Sequence, residues 1–267
     1  MSELLNISPV MGSILVVLLP FLAFLIQAIL GKRGKSGNVS LIAILLSTIL
    51  SLIFVFAEVW KSTPISADYN WFTIGTHTFT IGVLLNNLTI LMQLIVCVIA
   101  LPVHIYSRTY MKGDPGIHRY WMYLSLFCFS MLGLTISNNL LMMYIFWELV
   151  GFASYLLIGF WFTKESAVQA NKKAFIINRI GDLGFLLGIA SVYSIYGSLN
   201  LVELFGKEGL VSTLPQATAG WMTFTGICFF VGAMAKSAQF PLHVWLPDAM
   251  EGPTAVSSLI HAATMVA

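Results

Sequence analysis

Five titratable residues lie inside stretches that otherwise hold almost nothing but apolar side chains: Glu148, Arg179, Asp182, Lys236 and His261. Each charged one at mid-membrane depth costs roughly 2.5–3.5 kcal/mol, so the four together approach about 10 kcal/mol before any pairing. Decoration does not explain a cost comparable to the whole stability of a soluble domain, so these groups are expected to converge on a shared polar interior. Arg179 and Asp182 are three apart and project from one helix face, where they can pair with each other. They are then either a structural ion pair or a pair that responds to charge on a neighbouring helix, with Asp182 swinging between Arg179 and another cation. Lys236 is flanked by small residues, and Pro241 removes a backbone donor five residues on; the competing reading is a lysine that snorkels to the surface. His261 titrates near neutral pH and suits a proton relay. His243, between Pro241 and Pro247, is a tentative member of the set; an ordinary loop or interface histidine is the plainer account.

The chemistry these residue types support is proton transfer. A carboxylate and an ammonium at 4 Å attract by about 4 kcal/mol at an effective dielectric of about 20, and at 8 Å by about 2 kcal/mol. Burial together with a movable acid is what lets an ammonium give up a proton at neutral pH. The expected cycle has Lys236 holding a proton while Glu148 is close and passing it toward His261 when Glu148 is drawn away.

Positioning these groups requires long apolar helices. Residues 138–161 form about 24 nearly unbroken apolar positions with Glu148 near the middle, long enough to cross a bilayer. Hydrophobic residues make up 58% of the chain and charged residues 9%, against roughly 25% charged in a globular protein. The fold class is therefore an all-α polytopic membrane protein. Spans are expected at about 10–30, 39–60, 83–106, 120–137, 139–162, 172–196 and 219–240, with an eighth beginning near 253. Pro241 makes the seventh discontinuous.

The alternating pattern of residues 71–82 around Gly75 predicts a small outer-face β-hairpin, with His77 as a solvated turn residue. Asn200 to Phe205 read as a short amphipathic surface helix. Gly181, Gly184 and Gly188 form a small-residue stripe that permits close helix contact. Two units are expected: 1–82, with two transmembrane helices and the hairpin, and 83–267, a translocation core. The last residues stop inside an apolar run, which reads as a chain truncated in its eighth helix.

Charge sorts by loop. The first, third and fifth loops carry Lys32, Arg33, Lys35, Arg108, Lys112, Arg119, Lys164, Lys172 and Lys173, and the even loops only Lys61 and Lys207. The positive-inside rule puts the odd loops in the cytoplasm and the N-terminus outside. The run from Val10 to Leu30 lacks a basic leader and is too long for a signal-peptide core, so it is expected to be a retained span. Cys97, Cys128 and Cys228 are scattered without CxxC spacing, which gives no support to disulfide, zinc, haem c or iron–sulfur readings. No metal site, no quinone or haem pattern and no nucleic-acid partner is expected.

Several long motifs carry a resemblance. Trp147-Glu148-Leu149-Val150-Gly151 with Ser154 to Trp161, Ala170 to Phe175 with Asn178-Arg179-Ile180-Gly181-Asp182, Lys236 to Met250 and Ile260 to Val266 resemble the antiporter-like subunits of respiratory complex I, of the chain L and mitochondrial chain 5 type. One departure is Ala255, where the family usually has proline. The resemblance implies an antiporter-like helix bundle that pumps protons in NADH:quinone oxidoreductase. In the family, the residues matching Glu148, Lys236 and His261 form the central hydrophilic axis, and the pair matching Arg179 and Asp182 modulates it. It also implies no cofactor in this chain, with NADH, FMN, iron–sulfur clusters and quinone held by partner subunits. Expected partners are the other membrane subunits, a neighbouring antiporter-like one above all, in the inner (cytoplasmic) membrane. The large subunit of a multisubunit Na+/H+ antiporter shares the same core residues, and a structural membrane scaffold is the third reading.

Overall fold

A computed structural model describes residues 8–56, 64–75, 77–206, 209–213, 219–262 and 264–266. The chain begins with α1 (Pro9–Leu30), capped by the Ser8 hydroxyl on the Met11 N–H and opened by Pro9, whose missing N–H costs nothing at that position. Helix α2 (Asn38–Leu50) runs on into a π-helical turn, Ser51–Phe56. Two antiparallel strands follow, β1 (Ile65–Ile74) and β2 (His77–Leu85). They are longer than the alternating pattern alone suggests, with a register shift between Asn70 and Phe72. Gly75 has a left-handed φ of 61° at the turn. The His77 side chain lies outside the described residues.

Helices α3 (Asn87–Tyr110) and α4 (Ile117–Ile136) complete the first half, α3 starting on a reciprocal capping box between Asn86 and Thr89. The second half is α5 (Leu140–Ile158), α6 (Glu165–Tyr196), the short helices α7 (Leu201–Phe205) and α8 (Leu210–Thr213), α9 (Ala219–Lys236) and α10 (Thr254–Ala262). A helix thus lies within each of the eight expected spans, although residues 57–60 of the second lie outside the described residues and 83–85 of the third belong to β2. Among the described residues, four helical stretches are long and apolar enough to cross a membrane: Pro9–Arg33, Asn87–Tyr110, Leu140–Ile158 and Glu165–Tyr196.

Helix α4 is the centre of the bundle: its Tyr120, Trp121, Leu124, Phe127 and Leu132 are fully buried, and it packs against α1, α3 and α5. Helix α5 leads to α6, and α6 makes its most extensive contact with α9. The glycine stripe explains that contact. A Cβ at Gly184 would stand 2.9 Å from Val231 and one at Gly188 3.2 Å from the Phe229 ring, while Gly181 faces the Ala235 methyl. The two backbones approach closely because no side chain separates them.

The corner between α4 and α5 fixes where α5 begins. The Asn139 side-chain oxygen accepts from the Met142 N–H at 2.8 Å, and its Nδ2 donates to the Thr80 carbonyl at 2.9 Å. Asn138 donates to Asp68, tying the hairpin to the same corner. Cys97, Cys128 and Cys228 are buried free thiols.

The seventh span is discontinuous as expected, but it ends at Lys236 rather than 240. Pro241 is not the terminator. The Gln239 N–H bonds back to the Met234 carbonyl at 2.9 Å and the Ala238 N–H to the Ala235 carbonyl at 3.2 Å, with Ala238 left-handed at φ 47°. This is a Schellman closure with alanine in the place glycine usually takes. The chain then crosses a non-helical connection and one 3-10 turn, Asp248–Glu251, before α10.

Candidate functional site

Four of the five expected residues come together where α5, α6 and α9 meet. Close packing does the positioning: Gly181 touches Ala235, so the residues one step on, Asp182 and Lys236, are brought side by side. The Lys236 Nζ lies 3.7 Å from Asp182 Oδ1, and both side chains are only 4% exposed. Lys236 therefore does not snorkel. As the last residue of α9 it also sits at the negative end of that helix dipole, which favours a cation there. Its ammonium lies 5.8 Å from the centre of the Trp147 ring.

The pairing differs from the intrahelical one that the spacing suggests. Arg179 reaches across to Glu148 on α5, while Asp182 takes Lys236 on α9. The pairs are crossed between helices because both partners on α6 face close neighbours of opposite charge. Glu148 remains within electrostatic range of Lys236 and Asp182, but its direct ion pair is with Arg179.

Residues that the motifs alone did not single out complete the site. The Trp147 Nε1–H donates to Asp182 Oδ1 at 2.7 Å, and its ring stacks on Phe185 with centroids 4.9 Å apart. Gly151 faces the lysine: a Cβ there would stand 2.5 Å from Nζ. Asn178, one residue before Arg179, is buried beside them. A reading that starts from titratable side chains passes over all three, since none of them titrates.

His243 lies on the connection after α9, exposed, with its ring centre 5.7 Å from that of Phe240. His261 belongs to α10, the helix that packs against α3 and α5; its side chain lies outside the described residues. At the α5–α6 end of the bundle, Lys173 pairs with Asp248 at 2.7 Å and Ser166 donates to Glu251 at 3.0 Å, holding the connection after α9 against α6.

A buried lysine with a carboxylate beside it thus lies next to a second ion pair, that of Glu148 with Arg179. A family model described as "NADH:quinone oxidoreductase/Mrp antiporter, TM" matches residues 137–267, the part holding all of these residues. A second, "NADH-Ubiquinone oxidoreductase (complex I), chain 5 N-terminus", matches residues 71–121. The chain belongs to the antiporter-like subunits of complex I.

Relatives within that family include NAD(P)H-quinone oxidoreductase subunit 5, chloroplastic, of Marchantia polymorpha, 45% identical over 261 residues, which are 94% of this chain and 38% of the relative. NADH-quinone oxidoreductase subunit L of Neisseria meningitidis serogroup B is 43% identical over 265 residues, 95% of this chain and 39% of the relative. The antiporter-like chain described here thus spans well under half the length of those relatives. Among solved structures, one chain of the Mrp complex from Dietzia sp. DQ12-45-1b superposes with a TM-score of 0.79 at 26% identity, covering 95% of this chain and 27% of that one. A chain of the archaeal membrane-bound sulfane sulfur reductase has the same fold, with a TM-score of 0.82 at 21% identity, covering 95% of this chain and 50% of that one.

Proposed function

We propose that this chain is a proton-translocating membrane subunit of NADH:quinone oxidoreductase, with Glu148, Lys236 and His261 as the proton-carrying axis and Arg179 and Asp182 as the pair that modulates it. The observation that carries this reading is the crossed arrangement of two ion pairs around a buried ammonium, Glu148 with Arg179 and Asp182 with Lys236. Rotating Asp182 back to Arg179, three residues away on the same helix, frees Glu148 to approach Lys236 and conserves the number of ion pairs. When Glu148 is then drawn back toward Arg179 while Asp182 stays there, Lys236 is held by neither acid, its N–H bond breaks, and the proton passes through water to a neutral imidazole nitrogen of His261. His243, on the connection between α9 and α10, would stand along that route.

Residues 83–267 form the translocation core in this reading, and 1–82 the accessory helices and outer hairpin. The distribution of Lys and Arg supports an inner (cytoplasmic) membrane orientation with the N-terminus outside. NADH, FMN, iron–sulfur clusters and quinone would belong to partner subunits, and a neighbouring antiporter-like subunit would be in direct contact.

The test is Lys236→Ala and Glu148→Gln in the intact complex, with proton transport followed by a pH-sensitive dye in sealed vesicles. Both variants should lose most of the NADH-driven signal while assembling normally. Parent-level transport in both would remove the mechanism, and failure to assemble in both would favour a scaffold. The likeness to the Mrp complex favours a second reading, the large subunit of a multisubunit Na+/H+ antiporter. Acidification that needs a sodium gradient and ignores NADH would select it.

A further inference from the structure

Between α5, α6 and α9 lies a small cavity lined by Gly151, Ser154, Asn178, Asp182 and Lys236 among others. It has about 10 Å3 of room for a water centre, the lower limit for one molecule. Two deeply buried polar atoms at this cavity have no hydrogen-bond partner among the described residues: Lys236 Nζ and Asn178 Oδ1. Asn178 is 5% exposed and Lys236 3%. The Asn178 amide cannot be turned the other way, because its Nδ2 donates to the Ala174 carbonyl at 2.9 Å and a carbonyl only accepts. Its oxygen is thereby left to accept from the cavity. The Ser154 hydroxyl spends its proton on the Gly151 carbonyl at 2.8 Å, so its lone pairs are also free to accept.

We infer that this cavity is a single-water site that delivers protons to Lys236, and that Asn178 is the residue that holds the water. The inference rests on the proton-translocating reading above. The hydrogen-bond count closes: one bond accepted from the Lys236 ammonium, and one donated to each of Asn178 Oδ1 and Ser154 Oγ. Three is the usual number for a buried water. Tyr155, Ala174 and Phe175 also line the cavity, and all three lie nearer the α5–α6 connection than the ion pairs do. Delivery therefore comes from that end of the bundle. When Lys236 is a neutral amine, a hydronium ion reaching the site gives up one proton. One O–H bond breaks, one N–H bond forms, and a neutral water is left in place.

The experiment uses the complete subunit in its assembled complex, in sealed vesicles, with Lys236→Ala measured alongside. Asn178→Leu fills the space without offering an acceptor and should lower proton transport by about tenfold or more. Asn178→Ser restores a lone pair and leaves room for water, so it should stay within about threefold of the parent. A high-resolution electron-microscopy map of the complex should contain an ordered water within hydrogen-bond reach of both Asn178 Oδ1 and Lys236 Nζ, which keeps the inference testable if the leucine variant does not assemble. The inference is overturned by parent-level transport in Asn178→Leu, by equal losses in the leucine and serine variants, or by a map with no water there. If Lys236→Ala itself still transports, it is the function reading that fails.

Discussion

Neutralising Asp182 is the sharpest perturbation the site offers. At 3.7 Å and an effective dielectric of about 20, the attraction between Asp182 and Lys236 is about 4.5 kcal/mol. With both side chains 4% exposed, salt screens it little. Asp182→Asn keeps the volume, and the amide oxygen can still accept from Trp147 Nε1, so the change acts on charge. Lys236 stays buried without its counter-ion, and leaving one member of a buried pair uncompensated costs about 3–5 kcal/mol. Removing the ammonium as well, with Lys236→Met, takes away the reason for that cost. A double-mutant cycle on the complete subunit in lipid nanodiscs, read by reversible unfolding, should therefore give a coupling of about 2–3 kcal/mol between positions 182 and 236. The same cycle between 148 and 236 should give less than about 1 kcal/mol, since Glu148 has its direct partner in Arg179. A coupling larger at 148 than at 182 would show that the pairs are not crossed, and the reasoning would fall.

Further consequences concern residues around the lysine. Gly151→Ala places a methyl 2.5 Å from Nζ; the flexible ammonium can yield, so the subunit should fold normally while NADH-driven proton transport drops about tenfold. Trp147→Phe retains stacking on Phe185 but removes a hydrogen bond to a charged group, lowering unfolding stability by about 1.5–3 kcal/mol. Lys173→Met breaks a pair whose side chains are 42% and 45% exposed, so its effect on unfolding should be below about 1 kcal/mol, and a larger loss would mean that this contact holds the connection after α9 more tightly than its exposure implies. Ala238→Gly relieves a left-handed alanine and should raise the unfolding midpoint, by about 0.5–1 kcal/mol in stability.

The helices were legible in the sequence because hydropathy and length are read directly from composition, and the stripe Gly181, Gly184 and Gly188 marked a close-contact face of α6 without naming α9 as its partner. The hairpin was legible from period-two alternation, though its full length was not: Ile65 to Asn70 pair with β2 outside the alternating core of the pattern. The pairing of charges was not legible. Three-residue spacing makes Arg179 and Asp182 look like each other's partner, and only the approach of Ala235 to Gly181 makes Lys236 the nearer one for Asp182. The end of α9 was illegible for a similar reason. Pro241 is the visible helix breaker, whereas the actual stop is Ala238 in a conformation alanine rarely adopts, which its identity does not announce. Asn178 is a neutral amide whose role depends on which way its oxygen faces, and that is set by the Ala174 carbonyl.

The crossed pairs bear on the choice between a scaffold and a switch. A buried ion pair is seldom the most stable filling for its volume; well-packed apolar residues of similar size do as well or better. The buried Lys236–Asp182 pair, with the partly exposed Arg179–Glu148 pair beside it, is therefore poorly explained by stability alone. The proposed function treats the two pairs as a set of four whose partners exchange: moving Asp182 from Lys236 to Arg179 while Glu148 moves to Lys236 would trade contacts instead of leaving a charge alone. At an effective dielectric of about 20, taking a partner from 4 Å to 8 Å costs about 2 kcal/mol, and the new contact returns a similar amount. The barrier to exchange is then set by side-chain rotation and local water, while helix α6 itself need not move. In the proposed exchange, having both Arg179 and Asp182 on that one helix would matter, since a rigid backbone holds the two alternative partners at a fixed distance from each other.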